Sequence, residues 1–477
     1  MSSVSAKKRV VIVGAGLAGL AAAEALSRVA PQLEILILEG KRLAGGRAGS
    51  FQDRCSGDEI DYCQHVAMGC CTNWIDFVSR CGLQKYVRRD RELTFLHPKH
   101  PPSRFAANPW LPAPLHLLGT IAAQRYLSKS QQREIRRGLW RLMRTAEAEL
   151  RTVTALEWLQ AIGQSDETIR DFWEVILVSA LGEKCERVAM SPARKVLIDG
   201  FAAAHGASDV LVPTRPLSEL FGERVPKELR HRGVEFRYSS PVRQIDADGS
   251  VHTGEERIEP DHVICAVPWY RIGALFAGWH EKASVSLPNL TAWEQFSTSP
   301  ISGVHLWYDR PIMERPHAVL VGTTAQWVFR DPIETNRNDR EEYYFQVILS
   351  ASAEVTTDRE GLIETVQQEL RHAFPLAREA RLLRHRLVTD PKSVYSVSPD
   401  IDAARPETRT SIPWLKLAGD WVATGWPSTM ESAVISGRLA ATAVLEDLPS
   451  NPFPGNDRCL VLPGLPRGWL ANRLIRS

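Results

Sequence analysis

The sequence predicts an α/β protein in which a discontinuous Rossmann-like domain carries an inserted α+β domain. Three observations support this prediction: a β-branched run followed at once by a glycine-rich turn and an alanine-rich helix, a second apolar run that ends in an acid, and two further apolar runs much later in the chain. Continuous apolar runs are typical of strands buried on both faces of a parallel sheet. The length of 477 residues allows two or three domains.

The first strand and its turn lie at the N-terminus. Residues 10–13 are the β-branched run, the turn GAGLAG occupies residues 14–19, and the helix continues to about residue 29. In such a turn the first glycine permits a tight bend, the second lets the backbone approach a pyrophosphate, and the third lets helix and strand pack closely. Amide N–H groups at the helix start then bind phosphate. We therefore predict that Gly14, Gly16, Leu17, Ala18 and Gly19 bind a dinucleotide.

The second strand, residues 34–39, ends in Glu39. At this position of a dinucleotide-binding fold a carboxylate accepts hydrogen bonds from ribose hydroxyls. An acid rather than an arginine disfavours a 2′-phosphate, so FAD or NAD is favoured over NADP.

The segment that follows distinguishes between these two cofactors. Residues 45–47, Gly-Gly-Arg, resemble the motif that follows the second strand in flavin amine oxidases, protoporphyrinogen oxidases and phytoene desaturases. The resemblance implies that Gly46 and Arg47 lie along the pyrophosphate and ribityl chain of FAD. The cofactor it predicts is FAD.

A second block with this resemblance lies near the C-terminus. Residues 415–420 form an apolar strand that ends in Gly419 and Asp420, and a helix follows from about residue 429 to 445. The resemblance implies that Gly419 and Asp420 contact the ribitol or phosphate region and that the helix start, at Met430, points to the pyrimidine end of the flavin. The positive end of a helix dipole stabilises an anionic reduced flavin.

The middle of the chain completes this domain. Residues 233–236 and 241–245 alternate like a pair of strands, and the resemblance implies that Val242 meets the adenine through its backbone. Residues 263–268 are a further buried strand. The FAD-binding domain is therefore predicted to comprise residues 1–75, 200–270 and 405–447. Residues 76–199 and 271–404 form the substrate- and membrane-facing domain, and 448–477 form a C-terminal tail.

A more specific resemblance begins at residue 61. The segment DYCQHVAMGC, residues 61–70, resembles the signature of hydroxysqualene dehydroxylases, the squalene-associated FAD enzymes of bacterial hopanoid biosynthesis. Asp61, Gln64 and His65 match that signature, whereas Tyr62 and Cys63 replace its Asn-Gly pair, which alters the local turn. Residues 207–213 and 419–433 resemble further blocks of the same family.

This resemblance implies reductive dehydroxylation of hydroxysqualene to squalene, with hydride transfer from reduced flavin to an allylic carbon and loss of water. An allylic hydroxyl leaves only when it is protonated or strongly hydrogen-bonded, so the site needs an acid. Asp61 and His65 are the catalytic candidates, with Gln64 between them, because a spacing of four brings side chains together in a helix or a tight loop. The alternative is that Asp61 contacts only flavin or structure and that His65 is a hydrogen-bonded core histidine.

Composition excludes several other classes of protein. The 58 Lys and Arg residues nearly balance 56 Asp and Glu, a net charge of +2, which argues against a dedicated nucleic-acid binder. None of the eight cysteines forms a C-x-x-C pair, so we predict no metal site and reduced thiols in a cytosolic protein. No stretch reaches the ~18 apolar residues of a transmembrane helix.

Two neighbouring segments indicate contact with a membrane surface. Residues 109–118 are apolar and interrupted by prolines, and residues 125–151 carry eight Lys and Arg against three Asp and Glu. A basic helix with an apolar stripe is typical of binding to anionic lipid, although an ordinary solvated helix shows the same charge. We therefore predict a cytoplasmic protein, peripheral on the inner face of the cytoplasmic membrane, with a hydrophobic isoprenoid substrate. Association with upstream enzymes of the squalene pathway stays open.

Alternative functions share the same fold. An isoprenoid or carotenoid desaturase, or an amine oxidase, would oxidise its substrate, whereas a prenyl-lipid carrier would bind one without chemistry. A carrier has no need of the complete set of flavin-contacting residues, and an NAD dehydrogenase would need a second nicotinamide-binding half. The sequence therefore favours a flavoenzyme.

Overall fold

The computed structural model of the protein describes residues 7–55, 57–254, 256–277, 290–331, 342–355, 358–448 and 459–476. Parts of the predicted substrate domain and of the predicted C-terminal tail lie outside these described residues. The described residues contain both a parallel sheet and a larger mixed sheet, with helices around each.

The strands are, in chain order, β1 (Arg9–Val13), β2 (Glu34–Leu38), β3 (Ser50–Gln52), β4 (Glu59–Asp61), β5 (Ala67–Met68), β6 (Val87–Asp90), β7 (Glu92–His97), β8 (His100–Ala106), β9 (Val210–Pro213), β10 (Glu235–Arg237), β11 (Gln244–Ile245), β12 (Val251–His252), β13 (Arg257–Ile258), β14 (His262–Cys265), β15 (Thr298–Tyr308), β16 (His317–Leu320), β17 (Trp327–Arg330), β18 (Tyr343–Ser350), β19 (Leu382–Tyr395) and β20 (Leu415–Leu417).

The α-helices are α1 (Leu17–Val29), α2 (Thr72–Arg80), α3 (Leu118–Ala122), α4 (Lys129–Arg144), α5 (Ala155–Ala161), α6 (Asp166–Thr168), α7 (Glu174–Leu181), α8 (Met190–Leu197), α9 (Val225–His231), α10 (Trp269–Leu275), α11 (Leu290–Glu294), α12 (Arg359–Ala373), α13 (Pro399–Ala404), α14 (Met430–Glu446) and α15 (Trp469–Leu474).

A parallel sheet of order β10-β2-β1-β14-β20 forms the centre of the dinucleotide-binding part. Its strands come from three distant stretches of the chain, and Val11 of β1 aligns with Leu36 on one side and Val263 on the other. The central strands are buried on both faces, as the continuous apolar runs predict. The α/β prediction is therefore confirmed, while the domain boundaries stay predictions.

The pairing predicted for residues 233–236 and 241–245 is wrong. Strand β10 joins the parallel sheet beside β2, whereas β11 belongs to a separate antiparallel sheet of order β11-β12-β13. Between the two strands the chain turns through Ser239, whose φ is 52°. An alternating pattern shows that a segment can form a strand but does not identify its partner.

Helices α1 and α14 pack against each other and against this sheet. Helix α1 is buried along nearly its whole length, and its alanines allow close approach. At the contact, Gly437 of α14 lies so close to the backbone of Ala18 that a Cβ at residue 437 would overlap the Ala18 carbonyl oxygen. The N-terminal and C-terminal parts of the chain are thereby held together in one layer.

The inserted part is built on a seven-stranded sheet of order β19-β15-β18-β17-β16-β7-β8. All neighbouring strands are antiparallel except the pair β16 and β7. Helices α3 to α8 lie in the stretch that separates β8 from β9 in the chain. The mixed sheet and its helices confirm the predicted α+β architecture.

Within the described part of the chain, no helix combines the length and the apolar composition that are needed to cross a bilayer.

We expect Gly437→Ala to destabilise the protein by about 1–3 kcal/mol, because the added methyl group overpacks the contact between α1 and α14. The measurement is the midpoint of denaturant unfolding. Gly119→Ala is the matched control, since a Cβ at that helical position has no heavy atom within 4 Å. Equal midpoints for the Gly437 variant and the wild type would contradict the close contact.

Candidate functional site

The turn between β1 and α1 has a backbone that side chains would not permit. Gly14 has φ of 104°, and a Cβ there would lie 2.7 Å from the carbonyl oxygen of Ala266. A Cβ at Gly19 would overlap the carbonyl oxygen of Gly14. The first and third glycines therefore serve the tight bend and the close packing that the motif predicts.

The start of α1 faces open space. No side chain caps the helix, and its first turn carries no acid. A Cβ at Gly16 would meet no heavy atom within 4 Å. The N–H groups of Leu17 and Ala18 stand in the first turn, where no intrahelical carbonyl is available to them. This space and these donors fit a pyrophosphate group.

Glu39 follows directly after β2, beside the same turn. Its Oε2 accepts a hydrogen bond from the backbone N–H of Ala15 at 2.8 Å, and its Oε1 accepts one from the N–H of Lys41 at 2.8 Å. These two bonds hold the carboxylate next to the glycine-rich turn, and each oxygen keeps a lone pair for a ribose hydroxyl.

The Gly-Gly-Arg motif meets this first turn directly. The N–H of Gly45 donates to the carbonyl oxygen of Ala15 at 2.9 Å, and a Cβ at Gly46 would lie 3.1 Å from the Cα of Gly16. Gly46 itself has φ of 66°, a conformation that favours glycine. The two predicted cofactor motifs thus form one continuous backbone surface.

Arg47 joins this surface to the C-terminal motif. Its guanidinium forms an ion pair with Asp420, donates to the carbonyl oxygen of Ser393 at 2.7 Å, and lies 5.5 Å from the ring centre of Trp269. The other carboxylate oxygen of Asp420 accepts a hydrogen bond from Ser428. The arginine predicted from the first motif and the aspartate predicted from the second are therefore in direct contact.

The start of α14 completes the set of predicted cofactor contacts. We call this set, the glycine-rich turn with Glu39, the Gly-Gly-Arg motif, Asp420 and the start of α14, the cofactor region. Gly419, with φ of 145°, donates its N–H to the hydroxyl of Ser436 at 2.8 Å. Thr429 caps the helix, and Met430 follows in its first turn. Val242 lies in the loop before β11 and is partly buried against the core. These positions are compatible with the predicted cofactor contacts of Gly419, Met430 and Val242, which stay predictions.

Asp61 lies at the end of β4 and is buried. Its Oδ1 accepts hydrogen bonds from the hydroxyl of Ser50 at 2.6 Å and from the N–H of Leu217 at 2.9 Å. Burial raises the pKa of the Asp61 carboxyl to about 7, although both hydrogen bonds act in the opposite direction. A carboxyl with this pKa is partly protonated at neutral pH and is able to act as an acid.

Gln64 and His65 lie in irregular chain after the bend at Tyr62 and Cys63, so the segment is not helical. The Nδ1 of His65 lies 2.8 Å from the carbonyl oxygen of Cys63, and burial lowers the pKa of the imidazole. Asp61 and His65 form no hydrogen bond with each other. Gln64 lines a large cavity, whereas neither Asp61 nor His65 lies on its wall. Their catalytic role therefore stays a prediction.

This cavity is lined almost entirely by carbon. Gln64, Met430 and Trp426 form its wall near the cofactor region. It continues between the helices and the mixed sheet of the inserted part. Its apolar wall there includes Phe95, Phe105, Ile121, Phe172, Val319 and Trp327.

Several groups at the site are not evident from the sequence. Ser393 contacts Arg47 from β19, and Tyr270 lies under the ammonium group of Lys392 at 4.7 Å. Ser393 and Lys392 come from the predicted substrate domain, Tyr270 is the last residue of the middle segment of the predicted FAD-binding domain, and no motif marks any of them. Ser428, in contrast, lies inside the 419–433 block that carries the family resemblance, so the sequence could have indicated it as a neighbour of Asp420.

Comparison with known proteins decides the family. Residues 17–445 match the family model described as flavin containing amine oxidoreductase. The chain belongs to this family. FAD is therefore its cofactor and the protein is an FAD-dependent oxidoreductase, which confirms the predicted cofactor and enzyme class.

Curated relatives share about a quarter of their residues with the chain. The 15-cis-phytoene desaturase of Solanum lycopersicum is 24% identical over 461 residues, covering 92% of this chain and 78% of the relative. The hydroxysqualene dehydroxylase of Zymomonas mobilis is 24% identical over 451 residues, covering 91% of this chain and 98% of the relative. Both names refer to reactions of isoprenoid compounds.

Solved structures support the fold. An oxidoreductase from Methanosarcina mazei superimposes with a TM-score of 0.67 at 15% identity, over 92% of this chain and 100% of its own. Cyclohexylamine oxidase from Brevibacterium oxydans superimposes with a TM-score of 0.66 at 18% identity, over 92% of this chain and 99% of its own. The predicted amine-oxidase-like fold is thereby confirmed.

We expect the wild type to lose stability relative to Asp61→Asn as pH rises from about 4 to 7. A carboxyl whose folded pKa lies near 7 and whose unfolded pKa lies near 4 binds its proton more tightly in the folded state, so ionisation opposes folding by up to ~1.4 kcal/mol per pH unit. The side-chain oxygen of the asparagine can still accept hydrogen bonds from the Ser50 hydroxyl and the Leu217 N–H. The measurement is the unfolding temperature of both proteins across this range, and parallel profiles would contradict the raised pKa.

Proposed function

We propose that the protein reduces hydroxysqualene to squalene, with loss of water, in triterpenoid biosynthesis. The observation that carries this proposal is the large apolar cavity whose wall includes Gln64 and Met430, beside the cofactor region. An apolar cavity with few polar groups suits a hydrocarbon chain, which loses its contact with water on binding. The 61–70 segment and the match to a hydroxysqualene dehydroxylase over 91% of this chain add support.

The chemistry assigns separate tasks to the cofactor and the chain. FAD would supply a two-electron redox centre when bound, and the glycine-rich turn, Glu39, Arg47 and Asp420 are the groups that would hold it. The C–O bond of the substrate breaks, the oxygen leaves as water after it receives a proton, and the allylic carbon gains a hydride equivalent. The residues of the chain must therefore deliver one proton, keep the site dry and orient the alcohol.

Asp61 and Gln64 are suited to these tasks in different ways. The pKa of Asp61, raised to about 7 by burial, lets the carboxyl carry a proton at neutral pH. Gln64 stands on the cavity wall, where its amide can bind a hydroxyl group. Burial and, to a smaller extent, the charge of Arg47 lower the pKa of His65 and help keep the imidazole neutral.

A second candidate is an oxidising reaction on an isoprenoid hydrocarbon. It is favoured by the match to phytoene desaturases over 92% of the chain and by the same apolar cavity. Mixing substrate with the enzyme separates the two candidates, because a desaturase reduces its flavin and a dehydroxylase reoxidises it.

An amine oxidase is disfavoured by the scarcity of polar groups on the cavity wall. A prenyl-lipid carrier is disfavoured by the complete cofactor region.

We expect the anaerobically reduced enzyme to convert hydroxysqualene into squalene while its flavin absorbance returns. The measurement follows squalene by mass spectrometry and the flavin by its spectrum, with phytoene and a primary amine as control substrates. Bleaching of the oxidised enzyme by phytoene, together with no squalene from hydroxysqualene, would establish the second candidate instead.

The same assay includes the variants Asp61→Asn and His65→Ala, with flavin occupancy determined separately. If Asp61 supplies the proton, Asp61→Asn retains FAD and loses about 10²–10⁴-fold in turnover. Full turnover in both variants would remove these residues from the mechanism and leave them a structural role.

We further propose that the protein docks on the inner face of the cytoplasmic membrane, from which its substrate enters. Trp110 is 90% exposed, Trp140 51% and Trp469 72%. Leu111 and Leu118 are exposed beside Trp110 in the chain. Amphipathic tryptophan side chains at a protein surface suit the interface between water and lipid.

The charge around these tryptophans supports the same proposal. Helix α4 buries Ile135, Leu142 and Met143 and turns its arginines outward. The C-terminal helix α15 lies next to it, since the N–H of Arg476 donates to the carbonyl oxygen of Met143 at 2.8 Å. Among the described residues, no carboxylate forms an ion pair with the exposed arginines of this surface, Arg133, Arg137, Arg141, Arg144 and Arg473. Unpaired cations attract anionic lipid headgroups.

We expect the protein to float with anionic liposomes at low salt and to be released at high salt, because exposed charge pairs are screened. The double variant Trp110→Ser and Trp140→Ser should lose most of this binding. Leu376→Ser is the control, a change at an apolar residue that is 46% exposed and belongs to the turn after α12, distant in the chain from Trp110, Trp140 and Trp469. Equal recovery with and without lipid at low salt would refute membrane docking.

A further inference from the structure

One helical segment runs along the wall of the apolar cavity, away from the cofactor region. It consists of helix α8 and the helical turn Ile198–Ala202 that continues it. At one place the Lys195 ammonium lies 4.9 Å from the ring centre of Trp426, which is a wall residue near the cofactor region. At another, the ring of Phe201 packs edge to face on Phe105 of the edge strand β8, with centres 5.9 Å apart. Six helical residues advance by about 9 Å, so the segment spans the wall between these two contacts.

Gly200 meets Met68 on this wall. Both residues line the cavity. A Cβ at residue 200 would lie 3.7 Å from the Cε and 3.8 Å from the Sδ of Met68, and outside its own helix it would meet no other heavy atom within 4 Å. These separations are ordinary van der Waals contact, so an alanine would fit without displacing its neighbour. A longer side chain would not, because the thioether of Met68 occupies the space beyond the Cβ.

The backbone of Met68 is fixed, whereas its side chain can move. Met68 pairs with Val210 in the antiparallel strands β5 and β9, and its carbonyl oxygen accepts a hydrogen bond from the N–H of Cys71 at 2.9 Å. The methionine side chain is unbranched and adapts to the space around it. A bulky residue at position 200 would therefore turn the thioether into the cavity or enter the cavity itself. In both cases the cavity becomes narrower at this point.

We propose that the contact between Met68 and Gly200 determines the length of the isoprenoid chain that the cavity accepts. Because residue 200 has no side chain, the thioether of Met68 lies against the helical segment and leaves the cavity open past this point. A chain that extends from Trp426 to Phe105 needs this opening, whereas a chain half as long binds on one side of it. The inference rests on the proposed function only in that an isoprenoid chain occupies the cavity. It makes Met68 and Gly200 specificity-determining residues for that chain.

The test compares the binding of squalene, a C30 hydrocarbon, with that of an acyclic C15 terpene hydrocarbon, using the FAD-loaded full-length protein. Dissociation constants come from the quenching of tryptophan fluorescence in one detergent, to which Trp327 and Trp426 on the cavity wall contribute. We expect Gly200→Leu to weaken squalene binding about 10–200-fold, the discrimination that one misfitting methylene group causes in a hydrophobic pocket. The dissociation constant of the C15 hydrocarbon should change less than about threefold. Gly200→Ala should bind both hydrocarbons as the wild type does.

A compensating change tests the contact itself. Adding Met68→Ala to Gly200→Leu should restore squalene binding to within about threefold of the wild type, because the leucine then takes the space of the thioether. Gly119→Leu is the matched control, the same change at an exposed helical glycine where a Cβ meets no heavy atom within 4 Å. It should leave the ratio of the two dissociation constants unchanged. If Gly200→Leu does not fold, Gly200→Val replaces it and should shift the ratio in the same direction.

The outcomes separate this inference from the proposed function. If both hydrocarbons bind to the wild type and the variant at Gly200 binds squalene equally well, or loses both ligands by the same factor, the length-determining contact is overturned while the isoprenoid cavity stands. Failure of Met68→Ala to recover squalene binding would overturn it as well. If neither hydrocarbon binds to the wild type, the isoprenoid cavity and the contact both fail.

Discussion

The ion pair between Arg47 and Asp420 joins two parts of the chain that are more than 370 residues apart. The Asp420 side chain is 6% exposed and that of Arg47 29%, so each charge would be costly without the other. Around the pair, the carbonyl oxygen of Ser393 accepts a hydrogen bond from Arg47, and the hydroxyl of Ser428 donates one to the Asp420 carboxylate. The loop after β2, the segment before α14 and the edge strand β19 of the inserted part therefore meet at one point.

The close approach of backbones imposes a second constraint on the same region. Gly14, Gly19 and Gly46 each stand where a Cβ would lie too close to neighbouring backbone, and Gly437 lets α14 lie against α1. These glycines bring amide N–H groups and a helix start into one surface with room for a pyrophosphate. The apolar cavity begins beside it, at Met430, so the predicted binding region for a charged cofactor lies next to a cavity whose wall suits a hydrocarbon chain. Such a boundary allows a redox centre to act on a substrate that is shielded from water.

Local patterns predicted the parts of the site whose chemistry depends on neighbours in sequence. The glycine-rich turn, the acid after β2 and the alternation of buried strands follow from backbone geometry within a few residues, and the structure has them where the patterns indicate. Pairing across long separations was less predictable: β10 and β11 do not pair, although both segments have a strand-like pattern. Asp61 is similar, because its partners Ser50 and Leu217 became evident only when β3, β4 and the segment after β9 were in place.

By itself the sequence determined the fold class, the cofactor and the residues that carry the cofactor motifs, since turns, helix starts and strand ends are encoded by short runs of residues. Tertiary structure alone decided which side chains line the cavity, that Ser393 from β19 contacts Arg47, and that Met68 and Gly200 meet on the wall that Gln64 also lines. It also decided that α15 lies against α4. The physical reason is that a cavity wall is assembled from many elements, each contributing one or two side chains, and no local pattern records which elements will meet.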